Sequence, residues 1–146
     1  MQTRTFALVL GIVFLVIGVA GFIPALLTPA PEPIAVDSLH GLLFGLFPVN
    51  VLHNLVHIAF GIWGVVAYRS FAAARIYARV TAIVYAVLVV MGFIPVLRTT
   101  FGLIPLHGHD IWLHALIAIV AAYFGFRSAE HEQAGATTAS GERRPF

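Results

Sequence analysis

Four long hydrophobic stretches run along the chain, and short polar or proline-containing segments separate them. A helix that crosses the hydrocarbon core of a membrane needs about 20 mostly apolar residues. Each stretch has roughly this length, so the pattern predicts four transmembrane helices. Their predicted bounds are about residues 5–24, 49–68, 79–97 and 109–127. Beyond this domain of residues 1–127 the sequence turns polar, and we expect residues 128–146 to form a disordered cytoplasmic tail.

The composition agrees with a membrane protein and excludes several other classes. Hydrophobic residues make up 60% of the 146 residues and charged residues only 10%, and the mean hydropathy is +0.98. A soluble domain carries about 25% charged residues, so the lipid bilayer is the expected surrounding. The chain contains no Cys, which excludes thiolate metal sites and Fe–S clusters. Its basic residues form no cluster typical of nucleic-acid binding, and no nucleic-acid partner is expected.

The arginine residues predict how the helices are oriented. Seven of them fall on one side of the predicted spans: Arg4, Arg69, Arg75, Arg79, Arg127, Arg143 and Arg144. Only Arg98 falls on the other side. Cytoplasmic loops carry an excess of Lys and Arg. Both termini are therefore predicted to lie inside, with the protein in the cytoplasmic membrane of a bacterium.

The two halves of the chain are similar to each other. Residues 4–24 align without gaps on residues 75–95, and both segments end in GFIP. Residues 44–57 align on residues 101–114 and share Phe, Gly, Leu, Pro and the final His. Chance matches of apolar residues do not explain two such signatures in the same order. The sequence thus predicts an all-α integral membrane four-helix bundle built from two tandem helical hairpins, with a pseudo-two-fold axis along the membrane normal.

Polar residues inside the predicted spans lie near the outer ends of the second and fourth helices. Placing a polar side chain in the hydrocarbon region costs free energy, so these residues are candidates for a functional site. The second helix carries them at spacings i, i+3, i+4 and i+7: Asn50, His53, Asn54 and His57. The fourth carries them at i, i+3 and i+7: His107, Asp110 and His114. Each spacing places its residues on one helical face. Because the repeat aligns the two stripes, we expect them to converge across the pseudo-two-fold axis.

Three imidazoles and one carboxylate in these stripes predict a metal site. The candidate ligands are His53, His57, Asp110 and His114, a donor set that suits a Zn, Cu or Fe ion. Asn50, Asn54 and His107 are candidates to orient the imidazoles through hydrogen bonds. His40 and His109 lie in the outer loops and are candidates to cover the site.

Other interpretations of the same residues stay open. The His and Asn side chains can hydrogen-bond helices to one another in a non-catalytic accessory subunit of a larger membrane complex, or in a homo-oligomer. His57 and His114 can also form a bis-His pair for haem, and transport is a further alternative. The sequence contains no His-Glu-x-x-His, Gly-x-Ser-x-Gly or P-loop motif. No catalytic residue is therefore predicted, and a non-enzymatic function is favoured.

The chain resembles an uncharacterised bacterial family of four-span membrane proteins, a domain of unknown function. The segments that carry the resemblance are FGLFPVNVLHNLVHIAFGIWG, RIYARVTAIVYAVLVVMGFIP and, in the fourth span, DIWLHALIAIVAAYFG. Its most specific elements are Asn50, His53, Asn54, His57 and the segment 110–114. The resemblance covers residues 4–127, implies a four-span membrane fold and names no reaction.

Overall fold

A computed structural model describes residues 2–127, and in this part of the chain it contains four α-helices and one small β-sheet. The helices are α1 (Thr3–Ala20), α2 (Val51–Ala67), α3 (Phe71–Phe93) and α4 (His109–Phe126). The predicted all-α bundle is confirmed. Three of the helices, α1, α3 and α4, are long and apolar enough to cross a membrane, and α2 is slightly shorter with 17 residues. The polar tail predicted for residues 128–146 lies outside the described residues.

Close backbone contact joins the helices in pairs, with α1 against α2 and α3 against α4. In the first pair, a Cβ on Gly11 would lie 2.8 Å from the backbone nitrogen of Val65, and one on Gly61 would lie 2.9 Å from the carbonyl oxygen of Gly11. In the second pair, a Cβ on Gly125 would lie 2.9 Å from the backbone nitrogen of Arg79. Small residues at such crossings let helices pack by van der Waals contact in lipid, where the hydrophobic effect does not drive association.

Two helix boundaries differ from the sequence prediction for local reasons. The third helix begins at Phe71 rather than near residue 79, because the Ser70 side chain caps it by accepting a hydrogen bond from Ala73 N at 3.1 Å. The first helix ends at Ala20 rather than near residue 24. Pro24 and Pro95 each begin a 3-10 turn beyond the end of their helix, as expected for a residue that lacks a backbone donor.

A three-stranded antiparallel sheet, not predicted from the sequence, lies in the long loop between α1 and α2. Its strands are β1 (Leu27–Thr28), β2 (Gly41–Leu43) and β3 (Phe47–Val49), in that spatial order, with Leu27 opposite Leu43 and Gly41 opposite Val49. The side chains of Leu43 and Val49 are fully buried against Ala20. The sheet therefore closes the end of the bundle from which α2 starts.

The two ends of the bundle carry opposite charge. Five of the arginines lie at the end remote from the sheet: Arg4, Arg69, Arg75, Arg79 and Arg127. Three of these, Arg4, Arg75 and Arg79, donate hydrogen bonds to the final carbonyls of α2 or α4, as in Arg79 Nε to Gly125 O at 2.8 Å. The acidic residues of the described chain lie at the other end, together with Arg98. This arrangement agrees with the predicted arginine asymmetry, and the side of the membrane stays a prediction.

Candidate metal centre

The first turn of α2 fixes the position of the polar stripe. The Asn50 side chain caps this helix by accepting a hydrogen bond from His53 N at 3.0 Å. Its amide nitrogen donates to Val36 O at 2.9 Å and to Leu103 O at 2.7 Å, which are carbonyls of the two outer loops. Asn50 therefore uses both amide hydrogens and its oxygen to tie α2 to these loops, and each of these bonds is to the backbone rather than to an imidazole.

Three of the predicted ligands come together at one point. His53 on α2 and Asp110 and His114 on α4 each offer a donor atom, and these atoms all lie within 4.8 Å of one another. The exposed fraction of each residue is 6% or less. His114 Nε2 lies 3.5 Å from Asp110 Oδ1, one helical turn away. The convergence expected across the repeat thus places two imidazoles and one carboxylate in a single buried group.

His57, the fourth predicted ligand, lies beside this group rather than within it. Its ring centroid is 4.2 Å from that of His53. His57 Nδ1 is hydrogen-bonded to the carbonyl oxygen of His53 at 3.1 Å. Since a carbonyl only accepts, the proton lies on Nδ1, and Nε2 keeps its lone pair.

Several polar atoms of the cluster have no hydrogen-bond partner among the described residues. They are both ring nitrogens of His53, Oδ2 of Asp110 and Nδ1 of His114. A buried donor or acceptor left without a partner costs about 1–3 kcal/mol. Buried polar groups of native proteins almost always have partners, including water or an ion. The cluster therefore has the character of a binding site that is completed from outside the chain.

A cavity of about 140 Å³ adjoins the cluster. The rings of His53, His57 and His114 form part of its wall, which is almost wholly apolar. The rest of the wall is mostly apolar and comes from α2, α3, α4 and the loop before α4: Val56, Phe60, Val84, Tyr85, Leu88, Thr100, Ile104, Pro105 and Leu106. Asp110 is not part of the wall.

Aromatic rings hold the two repeat-related histidines on the side facing the bundle core. The ring of Phe14 meets His57 edge to face, with centroids 5.2 Å apart, and Tyr85 meets His114 in the same way at 4.8 Å. Such contacts fix the ring planes.

The remaining predicted residues take other positions. Asn54 is fully buried against Gly21 of α1, where any Cβ would collide with its amide. His107 Nε2 lies 3.7 Å from Glu32 Oε2 in the outer loops, and His109 is exposed. His40 is half-buried in the loop between β1 and β2, where burial and then the neighbouring His107 lower its pKa below the usual 6.5, against the opposing effect of Asp37 and Glu32.

The sequence reasoning missed the apolar wall of the cavity and Thr100, whose buried Oγ1 has no hydrogen-bond partner among the described residues. Val84, Leu88 and Ile104 look like any lipid-facing or core residue, because their type carries no sign of a cavity. Thr100 lies in an irregular loop with φ of +48°, a position that periodicity cannot assign.

Comparison with known proteins identifies the chain at the level of a family. A family model described as "Domain of unknown function (DUF4383)" matches residues 4–127. No curated protein and no solved structure matches the chain. The matched range covers the whole histidine cluster and all four helices apart from Thr3, the first residue of α1.

Proposed function

We propose a function for this chain, which belongs to the DUF4383 family, from the residues of its own site: it is a membrane protein that binds one transition-metal ion, Zn, Cu or Fe. The ion is held by His53, Asp110 and His114 near the outer end of the bundle. The observation that carries the proposal is the meeting of these three buried donors within 4.8 Å, in a group where neither ring nitrogen of His53 has a hydrogen-bond partner among the described residues.

The donor chemistry supports a transition metal rather than a hard cation. Neutral imidazole suits Zn, Cu and Fe, whereas Ca²⁺ and Mg²⁺ take oxygen ligands. Two imidazoles and one carboxylate form the ligand set of several zinc enzymes and of non-haem Fe(II) sites. The negative charge of Asp110 also offsets part of the ion's charge in a medium where an isolated charge is costly.

The spacing of the donors is close to what an ion requires. Ligand atoms about 2.0–2.2 Å from a tetrahedral ion lie about 3.3–3.6 Å apart. The 3.5 Å between His114 Nε2 and Asp110 Oδ1 already has this value. No two donor atoms of the group are more than 4.8 Å apart, about 1.2–1.5 Å more than this spacing.

The ion alone, rather than haem, is the proposed cofactor. A cavity of about 140 Å³ has the size that accommodates benzene in other proteins, which is far smaller than a porphyrin.

The proposed setting is the bacterial cytoplasmic membrane with both termini inside. The five arginines at one end of the bundle support this orientation through the positive-inside rule. The metal site then lies on the outer side, beneath the small sheet and the loop before α4.

Metal analysis of the full chain purified in detergent tests the proposal. We expect one Zn, Cu or Fe ion per chain after purification or after loading with the metal salt. His53→Ala, His114→Ala and Asp110→Asn are expected to weaken metal affinity at least tenfold. Asp110→Asn is the sharpest variant, because it preserves the shape of the side chain while replacing one carboxylate oxygen by an amide nitrogen, which removes the negative charge.

His109→Ala is the matched control, since His109 is next to Asp110 in the sequence but its side chain is exposed. It is expected to leave the metal content unchanged. Thermal unfolding of each variant separates loss of a ligand from loss of the fold. A folded wild-type chain that takes up none of the three metals would overturn the proposal. The polar stripe would then be assigned to interhelical hydrogen bonding in an accessory subunit.

A further inference from the structure

We infer that two loop segments at the sheet end of the bundle insert their apolar side chains into the adjacent leaflet of the bilayer and anchor the protein there. These segments, called the loop tips below, are residues 44–46 and 101–103, and each has the sequence Phe-Gly-Leu. Insertion of the tips depends on the membrane setting of the proposed function but not on its metal ion.

The large apolar side chains of both tips are exposed on the surface of the protein. The exposed fraction is 56% for Phe44 and 48% for Leu46 in the first tip. In the second tip it is 77% for Phe101 and 48% for Leu103. Clustered apolar side chains that face outward are typical of surfaces that contact a membrane or another protein. The tips therefore need a partner that is itself apolar.

The backbone of each Phe shows that the aromatic ring is not required by the fold. Phe44 and Phe101 have left-handed φ angles of +54° and +61°, and the Gly that follows each of them is also left-handed. Such a conformation disfavours residues with a Cβ, and Gly or Asn is usual there. Since neither ring is buried, packing inside the protein does not explain the choice of Phe. The same unfavourable choice in both halves of the chain points to a shared requirement outside the protein.

The second tip lies beside the last turns of α3 rather than beyond the end of this helix. Thr100 and Ile104, which flank the tip, line the same cavity as Leu88 of α3. Leu88 precedes the final residue of the helix, Phe93, by five residues, which is about 7 Å along the axis. The base of the second tip is therefore level with a part of α3 that is surrounded by lipid.

The first tip lies at a similar level, close to the end of α1. Leu43, the residue before the tip, is buried against Ala20, the last residue of α1. The backbone nitrogen of Phe44 donates a hydrogen bond to the carbonyl oxygen of Leu26, just beyond this helix, at 2.9 Å. Both tips are thus placed where the helices leave the hydrocarbon core.

The backbone donors of the tips are already bonded within the protein, as contact with lipid requires. In the first tip three N–H groups donate to carbonyls of residues 26, 42 and 43 at 2.9–3.1 Å: those of Phe44, Gly45 and Leu46. In the second, Gly102 N donates to Thr99 Oγ1 at 3.0 Å, and Leu103 N donates to Thr100 O at 3.3 Å. An unsatisfied backbone group is costly next to acyl chains, so these bonds let the tips enter the leaflet.

The relation between the tips favours a bilayer over a protein partner. The predicted two-fold axis runs along the membrane normal, and a rotation about the normal leaves depth unchanged. Both tips then reach one leaflet at one depth, whereas a single protein partner would have to contact opposite sides of the bundle. Trp112 and Phe93, an exposed aromatic pair with ring centroids 5.9 Å apart, lie at the same end of the bundle. Trp in particular is enriched where a membrane meets water.

The experiment measures the depth of each tip in a chain that naturally contains no Cys. Phe44→Cys and Phe101→Cys are labelled with a nitroxide and reconstituted into vesicles of phosphatidylethanolamine and phosphatidylglycerol. Power-saturation EPR compares collisions with O₂, which concentrates in the hydrocarbon, and with Ni–EDDA, which stays in water. Leu46→Cys and Leu103→Cys report the same tips with both Phe rings retained.

Two control positions calibrate the measurement. Ser38→Cys lies in an exposed outer loop and represents water, whereas Val87→Cys lies on α3 at a position that is 53% exposed and represents the hydrocarbon. We expect the ratio of O₂ to Ni–EDDA accessibility at all four tip positions to exceed that at Ser38→Cys at least threefold. It should stay below the ratio at Val87→Cys, which lies deeper. Thermal unfolding in detergent confirms that each labelled variant is folded.

Each other outcome has a definite meaning. A ratio at the tips equal to that of Ser38→Cys places them in water and overturns the inference. Low accessibility to both reagents means that protein covers the tips, and this also overturns it. Insertion of only one tip contradicts the paired anchor. If Val87→Cys itself is open to Ni–EDDA, the bundle does not span the membrane and the proposed setting fails, whereas the metal content of the chain bears on none of these results.

Discussion

Phe14 and Tyr85 stack face to face between the two helical hairpins, with ring centroids 5.6 Å apart and ring planes 13° apart. The alignment of the two halves of the sequence matches these same residues to each other. Each ring also meets one of the two matched histidines edge to face, Phe14 with His57 and Tyr85 with His114. A residue that stacks on its own counterpart lies beside a two-fold axis, and this pair therefore supports the predicted duplication.

Other matched positions make matched contacts. Arg4 Nε donates to Tyr68 O at 2.8 Å, and Arg75 Nε donates to Gly125 O at 3.3 Å. The alignment matches the two donors, and the two acceptors correspond when the offset of 57 residues between segments 44–57 and 101–114 is continued along the helices. The two Phe-Gly pairs before α2 and α4 also share left-handed φ angles: Phe44, Gly45, Phe101 and Gly102. We propose on this basis that the bundle arose by tandem duplication of one helical hairpin.

Exchanging the two stacked rings tests the symmetry of their environment. The double variant F14Y/Y85F is expected to keep the stacked pair and to change the free energy of unfolding little. Phe14→Ala removes the pair and leaves a cavity, with an expected loss of about 3 kcal/mol or more. Unfolding in mixed detergent micelles, followed by tryptophan fluorescence, compares them. A double variant as unstable as Phe14→Ala would argue against equivalent environments.

Substitution of Gly11 tests the close crossing of α1 and α2. A Cβ at this position meets backbone atoms of α2 at 2.8–3.0 Å, and these cannot move aside like a flexible side chain. Gly11→Leu is expected to lower the free energy of unfolding by about 1–3 kcal/mol or more. The control is Val9→Leu, at a position of the same helix that is 47% exposed. Equal melting temperatures for the two variants would contradict this packing.

Asn50→Asp separates the capping of α2 from the attachment of the outer loops. Asp caps a helix as well as Asn does, so a residue that only capped α2 would tolerate the change. In the structure the carboxylate would face the carbonyls of Val36 and Leu103 without a donor. We expect a loss of at least about 2 kcal/mol in unfolding free energy. Ser70→Ala, which removes only a cap, is expected to lower the free energy of unfolding by about 1 kcal/mol. If Asn50→Asp lowers it by less than Ser70→Ala does, Asn50 does not attach the loops to α2.

Cysteine labelling tests the topology in a chain that naturally contains no Cys. Ser38 lies in the loop beside the sheet, and Ala72 lies in the first turn of α3 at the opposite end of the bundle; both are exposed. With both termini inside, Ser38→Cys is expected to react with a membrane-impermeant maleimide in intact cells. Ala72→Cys should react only after the membrane is opened. Labelling of both from the same side would be incompatible with the bundle spanning the membrane.

The lowered pKa of His40 predicts a pH dependence of stability. A histidine whose pKa in the folded state lies below its usual 6.5 takes up protons more readily when unfolded. Its contribution to stability is therefore complete above pH 6.5 and falls as the pH drops towards the folded-state pKa. His40→Gln is expected to reduce the difference in melting temperature between pH 7.5 and pH 5.5. An unchanged difference would show that His40 is as solvated as in the unfolded chain.

The sequence predicted the helices and the meeting of His53, Asp110 and His114 because both depend on periodicity. Residues three and four positions apart share a helical face wherever the helix goes. The small residues on the same faces then predict which side is turned inward. The group of three donors follows from these two regularities and from the internal repeat.

The features that were missed depend on contacts between distant segments. Asn50 binds two loop carbonyls whose positions are set by the sheet and by the turn around Gly102, and neither can be derived from the spacing of residues in α2. The strands are only two or three residues long, too short for an alternating pattern to be recognised. The start of α3 was detectable, since Ser70 is a favourable capping residue, but Arg75 and Arg79 were interpreted as loop residues.

The separation of charge along the bundle makes the molecule an electric dipole with a preferred direction in a polarised membrane. In residues 2–127, five arginines occupy one end, while Glu32, Asp37 and Asp110 lie at the other and outnumber the single Arg98 there. An energised bacterial membrane is negative inside, and each charge moved across 100 mV changes the energy by about 2.3 kcal/mol. The field therefore pulls the arginine end towards the cytoplasm and the carboxylate end outward. In the orientation proposed above, the resting potential of the cell would hold the histidine site on the outer side.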